Sequence, residues 1–238
     1  MAAPLSAAAA LAALRAEGVR VVEVDGWRTR NRNHKGAWGP VHGVMIHHTV
    51  TRGAKATVDI CRDGHSSLPG PLCHGVITKD GQVHLVGWGR ANHAGMGDDD
   101  VLQAIIAEKA LPPDNEANTD GNRHFYGFEC ENLGDGKDPW PAAQVEAIVR
   151  ASAALSRAHD WGKEGDTSII GHAEWQPGKV DPRGPGITMA DVRKRVAERL
   201  KHAASWSPGE KPPTPKPPTT EERISALEKR VTALEKRN

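Results

Sequence analysis

Val41-His42-Gly43-Val44-Met45-Ile46-His47-His48-Thr49-Val50 is the stretch on which the fold reading turns. Its aliphatic residues, closed by the run His47-His48-Thr49, mark a strand that ends in two histidines. Side chains alternate between the faces of a strand, so only one of the two histidines can reach a given metal ion. Strand geometry leaves open which one.

Upstream, Ser6 as an N-cap, the apolar run Ala7–Leu14 and Gly18 past its end predict an ordinary helix. An export signal is not expected, because no Lys or Arg precedes the run and Arg15 and Glu17 follow it. Val19–Val24 alternates as a strand. Downstream, Ala56–Arg62 is a short helix, and Cys73–Thr78 and Gln82–Val86 flank Lys79-Asp80-Gly81, a hairpin signal. Asp98–Asp100 can cap a helix over Val101–Ala110, and Leu111–Arg123, rich in Pro, Asn and Asp, is a long loop of the kind that often carries function. His124–Glu131 is a further strand. Pro141 opens an amphipathic helix with Val145, Ile148, Val149 and Leu155 on one face. Thr167–Gly171 is a short strand leading into His172, and Thr188 with Asp191 starts a last helix carrying Val192, Val196 and Leu200.

Strands alternating with helices predict an α/β fold, a mixed central β-sheet flanked by helices over residues 19–204, preceded by the helix of residues 1–18. Residues 205–220 are Pro-rich and read as a semi-rigid linker. Residues 221–238 read as a charged helix in which Ile224 and Val231 would take heptad a positions and Leu227 and Leu234 d positions. Arg223 and Arg230 at g would face Glu228 and Glu235 at e of a second copy, so a short parallel coiled-coil homodimer is expected.

Composition removes several function classes. No apolar run approaches the ~20 residues of a membrane span. The net charge of +1 gives no global field for nucleic acid or an anionic membrane surface. Cys61, Cys73 and Cys130 are odd in number and lack CxxC spacing, which argues against a disulfide framework and a thiolate zinc site. The unusual count is histidine, at twelve.

His172 opens the loop Gly171-His172-Ala173-Glu174-Trp175-Gln176-Pro177-Gly178-Lys179-Val180-Asp181-Pro182. Pro182 biases Asp181 toward an extended backbone, and Lys179 and Asp181, two apart, then share one side. An ammonium and a carboxylate would converge near His172; the plainer alternative is a surface ion pair worth little. Two histidines and one aspartate, with a fourth position left to water, make a catalytic rather than a structural zinc set.

The ordered set Ile46-His47-His48-Thr49, Cys73-His74-Gly75-Val76-Ile77-Thr78-Lys79-Asp80-Gly81, Asn92-His93-Ala94-Gly95, Gly127-Phe128-Glu129 and Gly171-His172…Lys179-Val180-Asp181-Pro182 resembles the zinc amidases related to phage lysozyme-amidases and peptidoglycan-recognition proteins. The likeness runs over roughly residues 20–200. It implies an N-acetylmuramoyl-L-alanine amidase that holds one zinc ion per chain on His47, His172 and Asp181. It takes His47 over His48, and it favours an enzyme over a binding or scaffold protein, because non-cutting recognition proteins of this fold lack the third ligand. The family places either a Tyr or a Glu opposite the zinc. The Tyr position holds Cys73 here, whereas Glu129 matches the Glu of cytosolic muropeptide amidases. Glu131 shares the strand face of Glu129, and only the motif separates them.

The resemblance further implies that zinc activates a water, that Glu129 carries its proton to the leaving alanine nitrogen, and that Lys179 stabilises the oxyanion. His93 corresponds to a substrate-contacting histidine, with Trp175, Asn132 and Trp88 as candidates for the substrate wall and His74 and His84 left structural. The implied partner is bacterial peptidoglycan, met by a phage endolysin made in the host cytoplasm and acting on the wall after release. A muropeptide-recycling amidase is the alternative enzyme.

Overall fold

The computed structural model describes residues 2–162 and 167–209. Ser6 caps the first helix through its hydroxyl, which accepts from the Ala9 N–H. This helix, α1, runs Ala7–Ala16, and Gly18 at φ 77° closes it in the left-handed conformation common after helix ends. Next come β1 (Arg20–Glu23) and β2 (Gly43–His48), then α2 (Ala54–Asp63) with a two-residue hairpin, β3 (Gly64–His65) and β4 (Leu68–Pro69). The expected Lys79-Asp80-Gly81 turn joins β5 (Gly75–Ile77) to β6 (Gln82–Leu85) as an antiparallel pair.

The long loop is framed by β7 (Met96–Gly97) and β8 (Thr119–Asp120), which pair with each other around α3 (Asp99–Ile106). Asp98 caps α3 from Asp100 N–H and Val101 N–H, and its other oxygen accepts from Asn115 N–H and Glu116 N–H, tying the loop to the helix. The helix stops at Ile106, short of Ala110, because Glu108 turns the chain at φ 48° ahead of Pro112-Pro113. Then follow β9 (Phe125–Cys130), α4 (Ala142–His159), β10 (Ile169–Gly171) and α5 (Met189–Leu200), the last capped by the Thr188 hydroxyl as its sequence predicts.

One sheet holds six of these strands in the order β1-β6-β5-β9-β2-β10. All neighbours are parallel except the β5–β6 hairpin, so the sheet is mixed and the helices lie on its faces. Strand alternation sorts the side chains. Val44 and Ile46 of β2 and Tyr126, Phe128 and Cys130 of β9 pack with α1, α4 and α5. Met45, Phe125 and Ile170 face the other way, against α3 and Trp175. Val58, Cys61, Cys73, Val76 and Val86 form a third cluster beneath α2.

The α4 stripe is wider than a one-face pattern. Ala147, Ala151, Ala153 and Ala154 are also buried, because α4 lies between α1 and α5, and small residues let the three helices approach. The three cysteines, distant in sequence, are all buried and free. Among the described residues no helix is long and apolar enough to cross a membrane. The compact unit is Met1–Trp206. Most of the Pro-rich segment and the whole of residues 221–238, with the dimer seam Ile224, Leu227, Val231 and Leu234, lie outside the described residues.

Candidate active site

Two parallel strands, β2 and β10, end side by side and bring their last residues together, as ligand sites in open α/β sheets do. His47 is the penultimate residue of β2, and His172 opens a single 3-10 turn, His172–Glu174, directly after β10. The Glu174 carboxylate accepts from the Gly171 N–H and is itself held by Arg193, which fixes the start of that turn. Ala173 N–H donates to the Asp181 carbonyl at 2.8 Å, so the far end of the loop folds back beside His172. His47 Nδ1 lies 3.0 Å from His172 Nδ1, and each of these nitrogens lies 3.2 Å from Asp181 Oδ2. Among the described residues this is the one group of three or more His, Cys, Asp or Glu side chains able to hold a metal ion.

The electrostatics suit a cation. Burial, then the neighbouring His172, push the His47 pKa down to about 4, leaving a neutral imidazole. Burial works against ionisation of Asp181, but its close contacts with His172 and His47 outweigh it and hold the carboxyl far below the usual range. Two imidazole nitrogens and one carboxylate oxygen converging on a point match a three-ligand zinc set with its fourth position open. The residues present therefore fit the ion.

Glu129 is the direct cross-strand partner of His47 in the β2–β9 ladder and shares its face. Burial, then the Asp181 charge, raise its pKa to about 8, partly offset by Lys179. Its Oε2 is buried without a hydrogen-bond partner among the described residues. A cleft of about 390 Å³ opens here, lined by His47, His93, Glu129, His172, Lys179 and Asp181, with Val50, Leu68 and Val180 exposed around its mouth.

A family profile described as N-acetylmuramoyl-L-alanine amidase matches residues 37–184, a span that contains every one of these cleft-lining groups. The chain belongs to the N-acetylmuramoyl-L-alanine amidase family. A search of curated proteins finds no match. Among solved structures, the amidase resembles the N-acetylmuramoyl-L-alanine amidase LysC from Clostridium intestinale URNW at 17% identity, over 74% of this chain and 96% of that one, with a TM-score of 0.47. It also resembles the Ph2119 endolysin from Thermus scotoductus MAT2119 bacteriophage Ph2119 at 15% identity, over 74% and 99% of the two chains, TM-score 0.45. A third is the N-acetylmuramyl-L-alanine amidase AmiD from E. coli, at 17% identity over 73% and 65%, TM-score 0.45.

Not every residue singled out in the amidase sequence reaches the cleft. Trp175 is fully buried, its indole N–H donating to the Ala94 carbonyl and its rings filling the space left by Gly97 and Gly121, so it is a core residue and not a wall. Trp88 is likewise buried, donating to the Leu5 carbonyl. Asn132 is fully buried too: its amide donates to the Asp138 carbonyl and accepts from the Gly134 N–H, organising a loop instead of facing substrate. Glu131 lies past the end of β9 and pins two loops through the Gly53 and Lys79 N–H groups, away from Glu129's task. His74 accepts from the Gly127 N–H and reaches the Gly89 carbonyl, a structural role. His48 is outside the metal cluster but lines the cleft, with Nδ1 buried and unpartnered among the described residues.

Sequence reading passed over Gln176. Its Oε1 lies 3.1 Å from His172 Nε2, where it accepts that N–H and leaves Nδ1 bare toward His47 and Asp181. The signal was present, since Gln176 is four residues past His172 in a turn, but a glutamine at that spacing is common without any such task.

Proposed function

We propose that the chain is a zinc-dependent amidase that hydrolyses the amide between the lactyl group of N-acetylmuramic acid and L-alanine in peptidoglycan. The observation that carries this reading is the meeting of His47 Nδ1, His172 Nδ1 and Asp181 Oδ2 beside the unpartnered Oε2 of Glu129. When bound, zinc would supply Lewis-acid polarisation at the site.

The chain's own groups account for the rest. In its ionised form the Glu129 carboxyl, whose pKa is raised to about 8, can take a proton from an attacking water and return it to the leaving alanine nitrogen. Water's oxygen joins the lactyl carbonyl carbon, the C–N bond breaks, and the nitrogen leaves carrying the proton that Glu129 Oε2 held. Lys179 borders the same cleft, close enough to lower the pKa of Glu129, and its ammonium is suited to the carbonyl oxygen as negative charge develops there.

The endolysin role is part of the proposal. The Pro-rich segment after the catalytic unit suits a polymeric substrate better than a soluble fragment, and the enzyme would act on the wall after release from the cell that makes it. Mass spectrometry of digested peptidoglycan tests the chemistry: new L-alanine amino termini are expected, blocked by a zinc chelator, while new reducing sugar ends would overturn the reading. Rates on intact walls against rates on soluble muropeptides test the role; preference for the soluble fragments would indicate a recycling enzyme.

A further inference from the structure

His93 sits behind the metal cluster, and its two ring nitrogens are both engaged. Nε2 is 3.3 Å from the Phe125 carbonyl, and Nδ1 is 3.1 Å from His47 Nε2. A carbonyl oxygen can only accept, so the His93 proton is on Nε2 and its Nδ1 carries a lone pair. The proton between the two rings then belongs to His47 Nε2, which leaves His47 Nδ1 bare on the side where His172 and Asp181 converge. The reverse assignment would set the lone pair of His93 Nε2 against the carbonyl oxygen.

The surroundings hold His93 in this pose. Its backbone N–H and that of Ala94 both donate to Asn122 Oδ1 at 2.8 Å. The ring lies flat over Gly127 of β9: a Cβ there would come within 2.5 Å of His93 Nδ1 and 2.7 Å of Cε1. Gly127 thus provides a slot that only a residue without a side chain can leave. The rings of His47 and His93 meet edge to face, with centroids 5.2 Å apart and planes 84° apart.

We infer that His93 is a positioning residue that fixes the tautomer and ring orientation of His47 for metal binding, and that Gly127 is the slot that admits it. The inference rests on the zinc reading above. It departs from the substrate-contact role that the resemblance implied, because both His93 nitrogens already have partners within the protein.

Zinc affinity of the full chain, measured by competition with a chromophoric chelator, separates the two ideas without any assay of turnover. His93→Leu strands the His47 N–H, and Gly127→Ala displaces the ring; each should weaken zinc binding about 10- to 100-fold, the usual effect of losing such a partner. His93→Gln, whose carbonyl can accept the same N–H, should recover most of the loss. Affinity in His93→Leu and Gly127→Ala equal to the parent's would overturn the inference while leaving the zinc reading intact. A parent chain that binds no zinc would overturn both. Imidazole nitrogen NMR of the zinc-loaded parent needs no variant to fold: protons on Nε2 of both His47 and His93 are expected, and a His93 proton on Nδ1 would refute the assignment.

Discussion

Glu129 stands directly across the β2–β9 ladder from His47, so the carboxylate and the first metal-cluster histidine emerge side by side from one sheet face. That placement separates two tasks. Glu129 is outside the group that can hold a metal, yet borders the same cleft. Glu129→Gln should therefore retain zinc at the parent's level while kcat falls about 10²- to 10⁴-fold, the range for losing a general acid-base group. Metal analysis and turnover on the same preparation check it; joint loss of both would make Glu129 a ligand.

The raised pKa of Glu129 also predicts a stability slope in the metal-free protein. Below pH 4.5 the carboxyl is protonated folded and unfolded, and it costs nothing. Between 4.5 and about 8 the unfolded chain releases the proton while the folded chain keeps it, so stability falls as pH rises; above about 8 the cost levels off. At ~1.4 kcal/mol for each pH unit of that window, the full penalty is at most ~5 kcal/mol. Glu129→Gln removes it. Urea denaturation of chelator-treated proteins should show the variant gaining on the parent from pH 5 to 8, and a constant difference would rule the slope out.

His47 and His48 are adjacent in sequence but divide the work. His47→Ala should abolish stoichiometric zinc, because it removes one of three converging donor atoms. His48→Ala should leave zinc content unchanged, since no His48 atom joins that group. Metal content by mass spectrometry decides this, and zinc loss in the His48 variant would reverse the assignment.

Trp175 tests the difference between a wall and a core. A fully buried indole seated against Gly97 and Gly121 should cost about 3–5 kcal/mol when cut to Ala. A wall residue would instead raise KM at little cost in stability. Urea midpoints and KM, measured on Trp175→Ala or the milder Trp175→Phe, distinguish the two.

Much of the fold was legible because its signals are local. Ser6, Asp98 and Thr188 cap helices through their own side chains, and the Lys79-Asp80-Gly81 turn needs only its immediate strands. The insertion of β9 between β5 and β2 is not of that kind, since nothing within Phe125–Cys130 names its neighbours. The same division holds at the site. His47 lies 125 residues from His172 and 134 from Asp181, so the motif set linked them where spacing could not. Trp175 and Asn132 look like surface-loop residues in sequence because the glycines and backbone groups that enclose them come from distant segments. His93's second partner, the Phe125 carbonyl, carries no sequence signature at all.

The helical layer depends on one buried ion pair far from the cleft. Glu17, just past α1, and Arg199 of α5 are each 1% exposed, with Arg199 Nε 2.8 Å from Glu17 Oε1. Arg157 of α4 takes the other Glu17 oxygen at 3.1 Å, and Arg199 also donates to the Trp206 carbonyl. The carboxylate thereby joins three helices that small side chains have brought close. Removing Glu17 leaves buried Arg199 with only Glu146 Oε1, at 3.4 Å, as counterion, and removing Arg199 leaves buried Glu17 with Arg157 alone, a loss that costs up to about 3–5 kcal/mol, whereas replacing the pair by apolar residues of similar size is often neutral. Glu17→Gln and Arg199→Met singly should each lower the urea midpoint by an amount in that range, and Glu17→Met with Arg199→Met should recover much of it. Zinc affinity should stay at the parent's value in all three wherever they remain folded. A double variant as unstable as the sum of the singles would show that the pair contributes more as an anchor than its burial costs.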